Sequence, residues 1–333
     1  MVKAKKFILV KTSEDLPKPS DFKLVEEELP ALKDNEFLVQ AEFLSVDPYM
    51  RGYMPQIPIN STMVGTQVSR IIESKNPNFP VGKYVVGSFG WTTHTVATSK
   101  LTDEFGLELS LLPDIGNLPK SLGIGVLGMP GNTAYFGFLE ICQPKAGETV
   151  VVTGAGGAVG SIVGQIAKIK GCNVIGIAGS DEKGKWLTQK LGFDHFINYK
   201  TQNVEEELKK LAPQGIDCYF DNVGGEVSTV IFNQMKIFGR VSICGYVSGY
   251  NDRTPQKVTT IHHAIIVKQL KVEGFIVSRW NDKISESISQ NLEWIQQGKL
   301  KYRETVTEGF ENTVNAFVDM LKGRNIGKAI VKV

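Results

Sequence analysis

A glycine-rich stretch in the middle of the chain carries the clearest chemical signal. Residues 150–152 are three valines, typical of a buried parallel strand, and Gly154, Gly157 and Gly160 follow before apolar residues recur at helical spacing. Glycine lets the backbone turn sharply and lets a phosphate approach it, and the N–H groups at the start of a helix attract an anion. The stretch therefore predicts a dinucleotide pyrophosphate site.

Two other interpretations of this stretch stay open on its residues alone. The glycines could form a tight turn that binds nothing, since such a motif is weak by itself. Residues 149–167 also carry no charge, and Gly156, Gly160 and Gly164 recur every fourth residue, as in helices that pack within a membrane. The β-branched strand before the glycines and the strands and helices after them favour a nucleotide site.

The end of the next predicted strand indicates which nucleotide binds. An NAD site places a carboxylate there for the ribose 2′-hydroxyl, but this chain has Gly179 and Ser180 at that point. Asp181 is a competing candidate, although its spacing suits the start or cap of a helix. Lys183, one turn into that helix, offers a cation for a 2′-phosphate, unless it is an ordinary solvated lysine. The pattern predicts NADPH rather than NADH.

Composition sets limits on partners and location. Lys and Arg number 37 against 35 Asp and Glu, and the net charge of +2 gives no indication of a nucleic-acid or membrane partner. The N-terminus lacks a secretory signal, so we expect a cytoplasmic protein. Cys142, Cys172, Cys218 and Cys244 are widely spaced, with no C-x-x-C pair, and the expectation is that no metal is bound.

The order of predicted elements indicates an α/β protein with two domains. Residues 1–125 predict short strands at 6–11, 36–46, 64–73 and 84–89 and no regular helix, which favours a barrel-like β domain. From residue 149, helices alternate with strands at 173–180, 195–199, 217–223, 240–246 and 271–277. Such alternation predicts a doubly wound parallel sheet. The C-terminal segment is expected to fold back onto the first domain.

Longer motifs along the whole chain resemble the zinc-free medium-chain dehydrogenase/reductases. Among them are Val-Asp-Pro-Tyr-Met-Arg at 46–51 and Tyr-Phe-Asp-Asn-Val-Gly-Gly at 219–225, and others lie at 127–131, 133–137, 179–183, 191–193 and 327–333. The resemblance implies a GroES-like β-barrel catalytic domain, residues 1–125 completed by 301–333. It also implies a Rossmann NADPH-binding domain, residues 126–300, and a homodimer.

The resemblance also implies which residues contact the coenzyme. Those expected at the pyrophosphate are Gly157, Ala158, Val159 and Gly160. Lys183 and Tyr199 would bracket the 2′-phosphate, Asn222 would face the ribose or phosphates, and Asn325 would reach the coenzyme from the C-terminal segment. The backbone expected along the nicotinamide half belongs to Cys244, Gly245, Tyr246, Val247, Ser248, Gly249, Tyr250, Phe275, Ile276 and Val277. Without the resemblance, Tyr199 could be a strand aromatic and Asn222 a turn cap.

The reaction that the resemblance implies is reduction of a carbon–carbon double bond conjugated to a ketone or aldehyde. A hydride adds to the β-carbon, negative charge develops on the carbonyl oxygen, and hydrogen-bond donors must stabilise it. Tyr250 is the first candidate for a polar catalytic group and Tyr49 the second, although Tyr49 could be a core aromatic. A phenol with a pKa near 10 donates hydrogen bonds well but is a poor acid.

Alternatives within and outside this chemistry remain open. A quinone reductase of the same superfamily is the nearest, and a non-catalytic NADPH-binding protein is another. A zinc alcohol dehydrogenase is disfavoured, since the chain has no Gly-His-Glu run.

The sequence departs from the family pattern in two places. Residues 251–263 lack the proline-rich loop of the mammalian enzymes, and the glycine turn has glycines where the family has alanines. The loop should shape the substrate pocket, so the substrate is the least determined feature.

Overall fold

The computed structural model describes residues 2–102, 106–251 and 260–333. Its internal contacts divide the chain into a first unit, residues 1–128 with 304–333, and a second unit, residues 129–303. Most of the loop expected to shape the substrate pocket, residues 252–259, lies outside the described residues. No described helix is both long enough and apolar enough to cross a bilayer.

The N-terminal part of the first unit consists mainly of strands. They are β1 (Lys3–Leu9), β2 (Phe22–Glu28), β3 (Glu36–Ser45), β4 (Gln67–Ser74), β5 (Tyr84–Gly87), β6 (His94–Thr98) and β7 (Ser110–Leu111), with the short helix α1 (Tyr49–Tyr53) after β3. The sequence analysis missed β2, β6 and the two-residue β7, and its expectation of no regular helix is wrong at α1. Strand β2 carries Lys and Glu because it pairs only with β1, in a two-stranded sheet. Helix α1 has five residues, too few for a helical period to show.

The second unit alternates strands and helices around one parallel sheet. Its elements are α2 (Met129–Phe136), continued by a π-helical segment (Gly137–Cys142), β8 (Thr149–Thr153), α3 (Ala158–Ile169), β9 (Asn173–Ala178), α4 (Asp181–Lys190), β10 (His195–Asn198), α5 (Val204–Leu211), β11 (Ile216–Asp221), α6 (Gly225–Asn233), β12 (Met235–Ile243), α7 (His262–Val267), β13 (Lys271–Gly274) and α8 (Ile284–Gln296). The strand order is β10-β9-β8-β11-β12-β13, and every described pair is parallel. This is the order 3-2-1-4-5-6 of a Rossmann domain and confirms the predicted doubly wound sheet.

The C-terminal segment returns to the sheet of the first unit. It contains β14 (Glu304–Glu308), α9 (Thr313–Leu321) and β15 (Lys328–Lys332). Strand β15 pairs with β3, and the sheet runs β14-β15-β3-β4-β5-β7 with β6 also on β3. The buried ammonium of Lys328 donates to the carboxylate of Asp47 at 3.0 Å and to the Val46 carbonyl at 2.9 Å. This pair ties the last strand to the segment that begins α1.

Candidate functional site

The carboxyl ends of the six parallel strands bring most of the predicted site residues to one edge of the sheet. The predicted segments of the second unit begin within a few residues of the end of a strand. The strand-end residues are Thr153, Ala178, Asn198, Asp221, Ile243 and Gly274. In open parallel sheets, ligands bind outside these ends, where the strand order reverses. Here the reversal lies between β8 and β11.

The glycine loop after β8 folds back against the first turn of α3. Gly154 has a φ of +60°, which a residue with a side chain rarely adopts. Gly157 is the N-cap of α3, and Ala158 and Val159 begin the helix. A Cβ on Gly160 would lie 2.5 Å from the carbonyl oxygen of Gly154, so only glycine lets helix and loop approach this closely. The predicted pyrophosphate residues therefore surround a helix N-terminus.

Beside this loop lies a cluster that we call the lysine corner: Lys183, Tyr199 and Lys200. A Cβ on Gly156 would lie 2.7 Å from Cδ of Lys183. A Cβ on Gly179 would lie 2.9 Å from the hydroxyl oxygen of Tyr199 and 3.0 Å from Cε of Lys200. The two glycines therefore provide the space that these three side chains occupy. The sequence analysis missed Lys200, although its place after Tyr199 at a strand end was a usable signal.

The two lysines of the lysine corner influence each other electrostatically. Burial lowers the pKa of Lys183, and the positive charge of Lys200 lowers it further. Asp181, which would oppose a phosphate, accepts a hydrogen bond of 2.7 Å from Nδ2 of Asn198. Asp181 is the first residue of α4, and Ser180 is the N-cap, its hydroxyl accepting from the Lys183 N–H.

The turn after β11 connects two of the strand ends. Asn222 donates from Nδ2 to the Thr153 carbonyl at 2.7 Å, so its amide joins the end of β8 to the end of β11. Asp221 is 2% exposed and is a turn-forming residue that the sequence analysis did not single out. Its carboxylate accepts from the Thr153 hydroxyl, the Val223 and Gly224 N–H groups and the Ser228 hydroxyl. These bonds fix the turn after β11, which contains the predicted coenzyme residue Asn222.

Residues 244–250, which we call the tyrosine turn, are held mainly through the backbone. The predicted strand at 240–246 ends at Ile243, because the Cys244 and Gly245 N–H groups turn to the Asp221 carbonyl. The ring of Tyr246 fits against two glycines. A Cβ would lie 2.5 Å from Tyr246 Cδ2 if built on Gly224, and 1.9 Å from Cε1 if built on Gly249. Two missing side chains thus make the space for one aromatic ring.

The tyrosine turn carries the first-choice catalytic candidate, Tyr250. Its hydroxyl oxygen accepts a hydrogen bond of 3.4 Å from the Tyr246 N–H. Burial raises the pKa of Tyr250, and this hydrogen bond lowers it by less. The phenol therefore keeps its proton at neutral pH and can donate it in a hydrogen bond. Burial also raises the pKa of the Cys244 thiol to about 12, which makes it a poor nucleophile.

The three predicted residues after β13 have different surroundings. The Phe275 ring fills the space above Gly137, where a Cβ would lie 2.2 Å from Cζ, and meets Trp280 edge-on with ring centroids 5.3 Å apart. Val277 is buried, whereas Ile276 is 55% exposed. Of the three side chains, only that of Ile276 is therefore largely available to a ligand.

Tyr49 and Asn325 belong to the first unit. Tyr49 begins α1 and packs, partly buried, against the first unit's core, as the core-aromatic alternative expects. The helix is anchored by buried Arg51, whose Nη2 donates to the carbonyls of residues 13, 14 and 15. The Asn325 side chain donates to the carbonyl of Gly327 at 2.8 Å. Within the described residues, no group of three or more His, Cys, Asp or Glu side chains could hold a metal ion.

Comparisons with known proteins agree with this architecture. Residues 5–104 match a family model described as the N-terminal domain of oxidoreductase, and residues 158–297 match one described as zinc-binding dehydrogenase. Prostaglandin reductase 1 of Bos taurus is 51% identical over 334 residues, covering 100% of both chains. The chain belongs to the prostaglandin reductase 1 family.

Two further comparisons widen the relationship of this prostaglandin reductase 1 family member. The NADP(+)-dependent 2-alkenal reductase of Nicotiana tabacum is 40% identical, over 90% of this chain and 88% of its own. The crystal structure of CurA in complex with NADPH from Vibrio vulnificus superposes with a TM-score of 0.91 at 36% identity, covering 99% of each chain. The resemblance to the medium-chain dehydrogenase/reductases is therefore confirmed at the level of sequence and fold.

Proposed function

We infer that this chain uses NADPH to reduce the carbon–carbon double bond of α,β-unsaturated ketones and aldehydes. The observation that carries the coenzyme choice is the lysine corner beside the glycine loop. A 2′-phosphate bears close to two negative charges at neutral pH, and Lys183, whose stem lies against Gly156 of that loop, offers a positive charge to it. Relatives at 51% and 40% identity are, by name, a prostaglandin reductase and an NADP(+)-dependent 2-alkenal reductase.

The positions of the predicted residues at the strand ends of the second unit support an assignment of each to one part of the coenzyme. We propose residues 157–160 at the pyrophosphate, where only glycine allows the close approach at Gly160. Lys183 and Tyr199 take the 2′-phosphate, Asn222 the ribose or phosphates, and residues 244–250 and 275–277 the nicotinamide half, with Asn325 as a further contact. NADPH, when bound, supplies the hydride for the β-carbon.

Protein groups must then stabilise the charge that develops on the carbonyl oxygen of the substrate. A preorganised hydrogen-bond donor does this without losing its proton. Tyr250 suits this role because its raised pKa keeps the phenol neutral. The same shift makes water the better source of the proton that the α-carbon finally receives. Tyr49 is the second candidate donor. If its hydroxyl donates to the carbonyl oxygen of the substrate, Tyr49→Phe should lower turnover.

Three further properties belong to this proposal. The first unit is the catalytic domain and the second the NADPH-binding domain. The chain acts in the cytoplasm, since all four cysteines are free thiols. It forms a homodimer, supported by exposed apolar side chains on the second unit: Ile237, Phe238, Ile266 and Val267, each at least 50% exposed. Light scattering on the purified protein tests the dimer.

A substrate panel tests the function. The purified chain is given NADPH or NADH with a 15-oxo-prostaglandin, a nonenal-type aldehyde or a quinone, and loss of reduced coenzyme is followed by absorbance. We expect turnover of the first two with NADPH and a saturated carbonyl product by mass spectrometry. Turnover of the quinone alone would make the chain a quinone reductase. Tight NADPH binding with no turnover of any substrate would make it a non-catalytic binding protein.

A further inference from the structure

Two lysines approach each other at the lysine corner. The stem of Lys183 lies over Gly156, and Cε of Lys200 lies over Gly179, 3.0 Å from the position a Cβ would take. The charge of Lys200 is close enough to disfavour protonation of Lys183, and the opposing carboxylate of Glu182 acts less strongly. Like charges brought together are unfavourable, and an anion that contacts both ammonium groups would offset their repulsion.

The position of Lys200 is set by a buried amide. Asn198, 4% exposed, is the last residue of β10. Its Oδ1 accepts from the Lys200 N–H at 3.2 Å, while its Nδ2 holds the carboxylate of Asp181 at 2.7 Å. One side chain thus orients the backbone of the second lysine and binds the carboxylate of the first residue of α4.

We propose that Lys200 is a specificity-determining residue, whose ammonium binds the 2′-phosphate of NADPH together with that of Lys183. This rests on the proposed function, which requires NADPH, and it adds a second cation to the single lysine that the sequence predicts. Gly179 contributes to this specificity, because a side chain at that position would occupy the space that Tyr199 and Lys200 fill. Lys200 itself is exposed, so its replacement leaves the core intact.

The test measures binding of two nucleotide fragments by calorimetry. Adenosine 2′,5′-bisphosphate carries the 2′-phosphate and 5′-AMP lacks it, so their ratio of affinities isolates that group. Lys200→Met should lower affinity for the bisphosphate about tenfold, or about 1.4 kcal/mol, and leave 5′-AMP binding unchanged. Its bisphosphate affinity should also depend less on salt. Lys185→Met, an exposed lysine of the same helix as Lys183, is the charge-matched control and should change neither affinity.

A structural readout accompanies the binding data. In Lys200→Met the pKa of Lys183, followed by NMR of its side chain, should rise, because a repelling charge has gone. Lys200→Arg should keep the wild-type ratio. If the unmodified chain binds both fragments equally, the choice of NADPH itself is wrong. If it prefers the bisphosphate and Lys200→Met keeps that preference in full, only the role of Lys200 is overturned.

Discussion

The lysine corner and the tyrosine turn follow strands on opposite sides of the β8–β11 reversal, and they are built differently. The lysine corner presents charged side chains, placed by missing side chains at Gly156 and Gly179. The tyrosine turn is fixed by backbone hydrogen bonds to Asp221 and Asn222 and by a ring fitted against glycines. We propose that the first region distinguishes coenzymes by charge and that the second positions whichever coenzyme is bound. Substitutions should separate these two roles.

The largest effect is expected at Lys183. Lys183→Met keeps the stem that packs over Gly156 and removes the ammonium. A charge-assisted hydrogen bond contributes about 1.5–3 kcal/mol, so NADPH affinity should fall about ten- to a hundredfold. NADH affinity should stay within about twofold, since NADH has no 2′-phosphate. Fluorescence titration with both coenzymes measures this, and an equal loss for both would remove the distinction between the two regions.

A smaller effect is expected at Gly249, and it should lower the affinity for both coenzymes rather than for NADPH alone. In Gly249→Ala the new methyl group would lie 1.9 Å from Cε1 of Tyr246, so the ring must move. Overpacking of this kind costs about 1–3 kcal/mol of stability, and NADPH and NADH affinities should fall together, by about tenfold. In a Tyr246→Ala background the same substitution should have a smaller effect, because the three atoms nearest to the new methyl group all belong to the Tyr246 ring. A change in the NADPH to NADH ratio would contradict the prediction.

The affinity of the lysine corner for a 2′-phosphate should also change with pH, by several-fold. The pKa of Lys183 lies below its ordinary value, so its charge is lost earlier as pH rises. Affinity for adenosine 2′,5′-bisphosphate, relative to 5′-AMP, should therefore fall as pH rises through that lowered pKa. It should also fall below about pH 6, where the 2′-phosphate takes up a proton. Calorimetry across this pH range measures both decreases in relative affinity. In Lys183→Met only the decrease at high pH should be lost.

The two regions also differ in how far sequence could predict them. Gly154 to Gly160, Lys183 and Tyr199 follow strand ends in a recognisable pattern, so their grouping was predictable. For Lys200 the sequence offers only its place after Tyr199, because its contact with Gly179 joins the ends of two different strands and shows only in the structure.

Long-range hydrogen bonds account for most of what was missed at the tyrosine turn. The predicted strand extended to residue 246, whereas the structure ends it at Ile243, and the N–H groups of Cys244 and Gly245 are directed to the Asp221 carbonyl. Likewise β2 escaped prediction because a strand paired on one side and exposed to water need not be apolar. Local pattern predicts elements well, but partners across the sheet decide where they end.

The smallest effect is expected at Tyr250, and it tests whether the tyrosine turn also takes part in proton transfer. Its 3.4 Å hydrogen bond to the Tyr246 N–H is long, so Tyr250→Phe should change stability and coenzyme affinity by about 0.5 kcal/mol, or about twofold. Turnover should fall by a few-fold if the phenol donates to substrate or ribose. Because burial raises its pKa, the phenol stays neutral throughout the working range, and the pH–rate profile should keep its shape in the variant. If one side of the pH–rate profile is instead lost in Tyr250→Phe, Tyr250 is the acid that donates the proton. The tyrosine turn would then be a catalytic region as well as a positioning one.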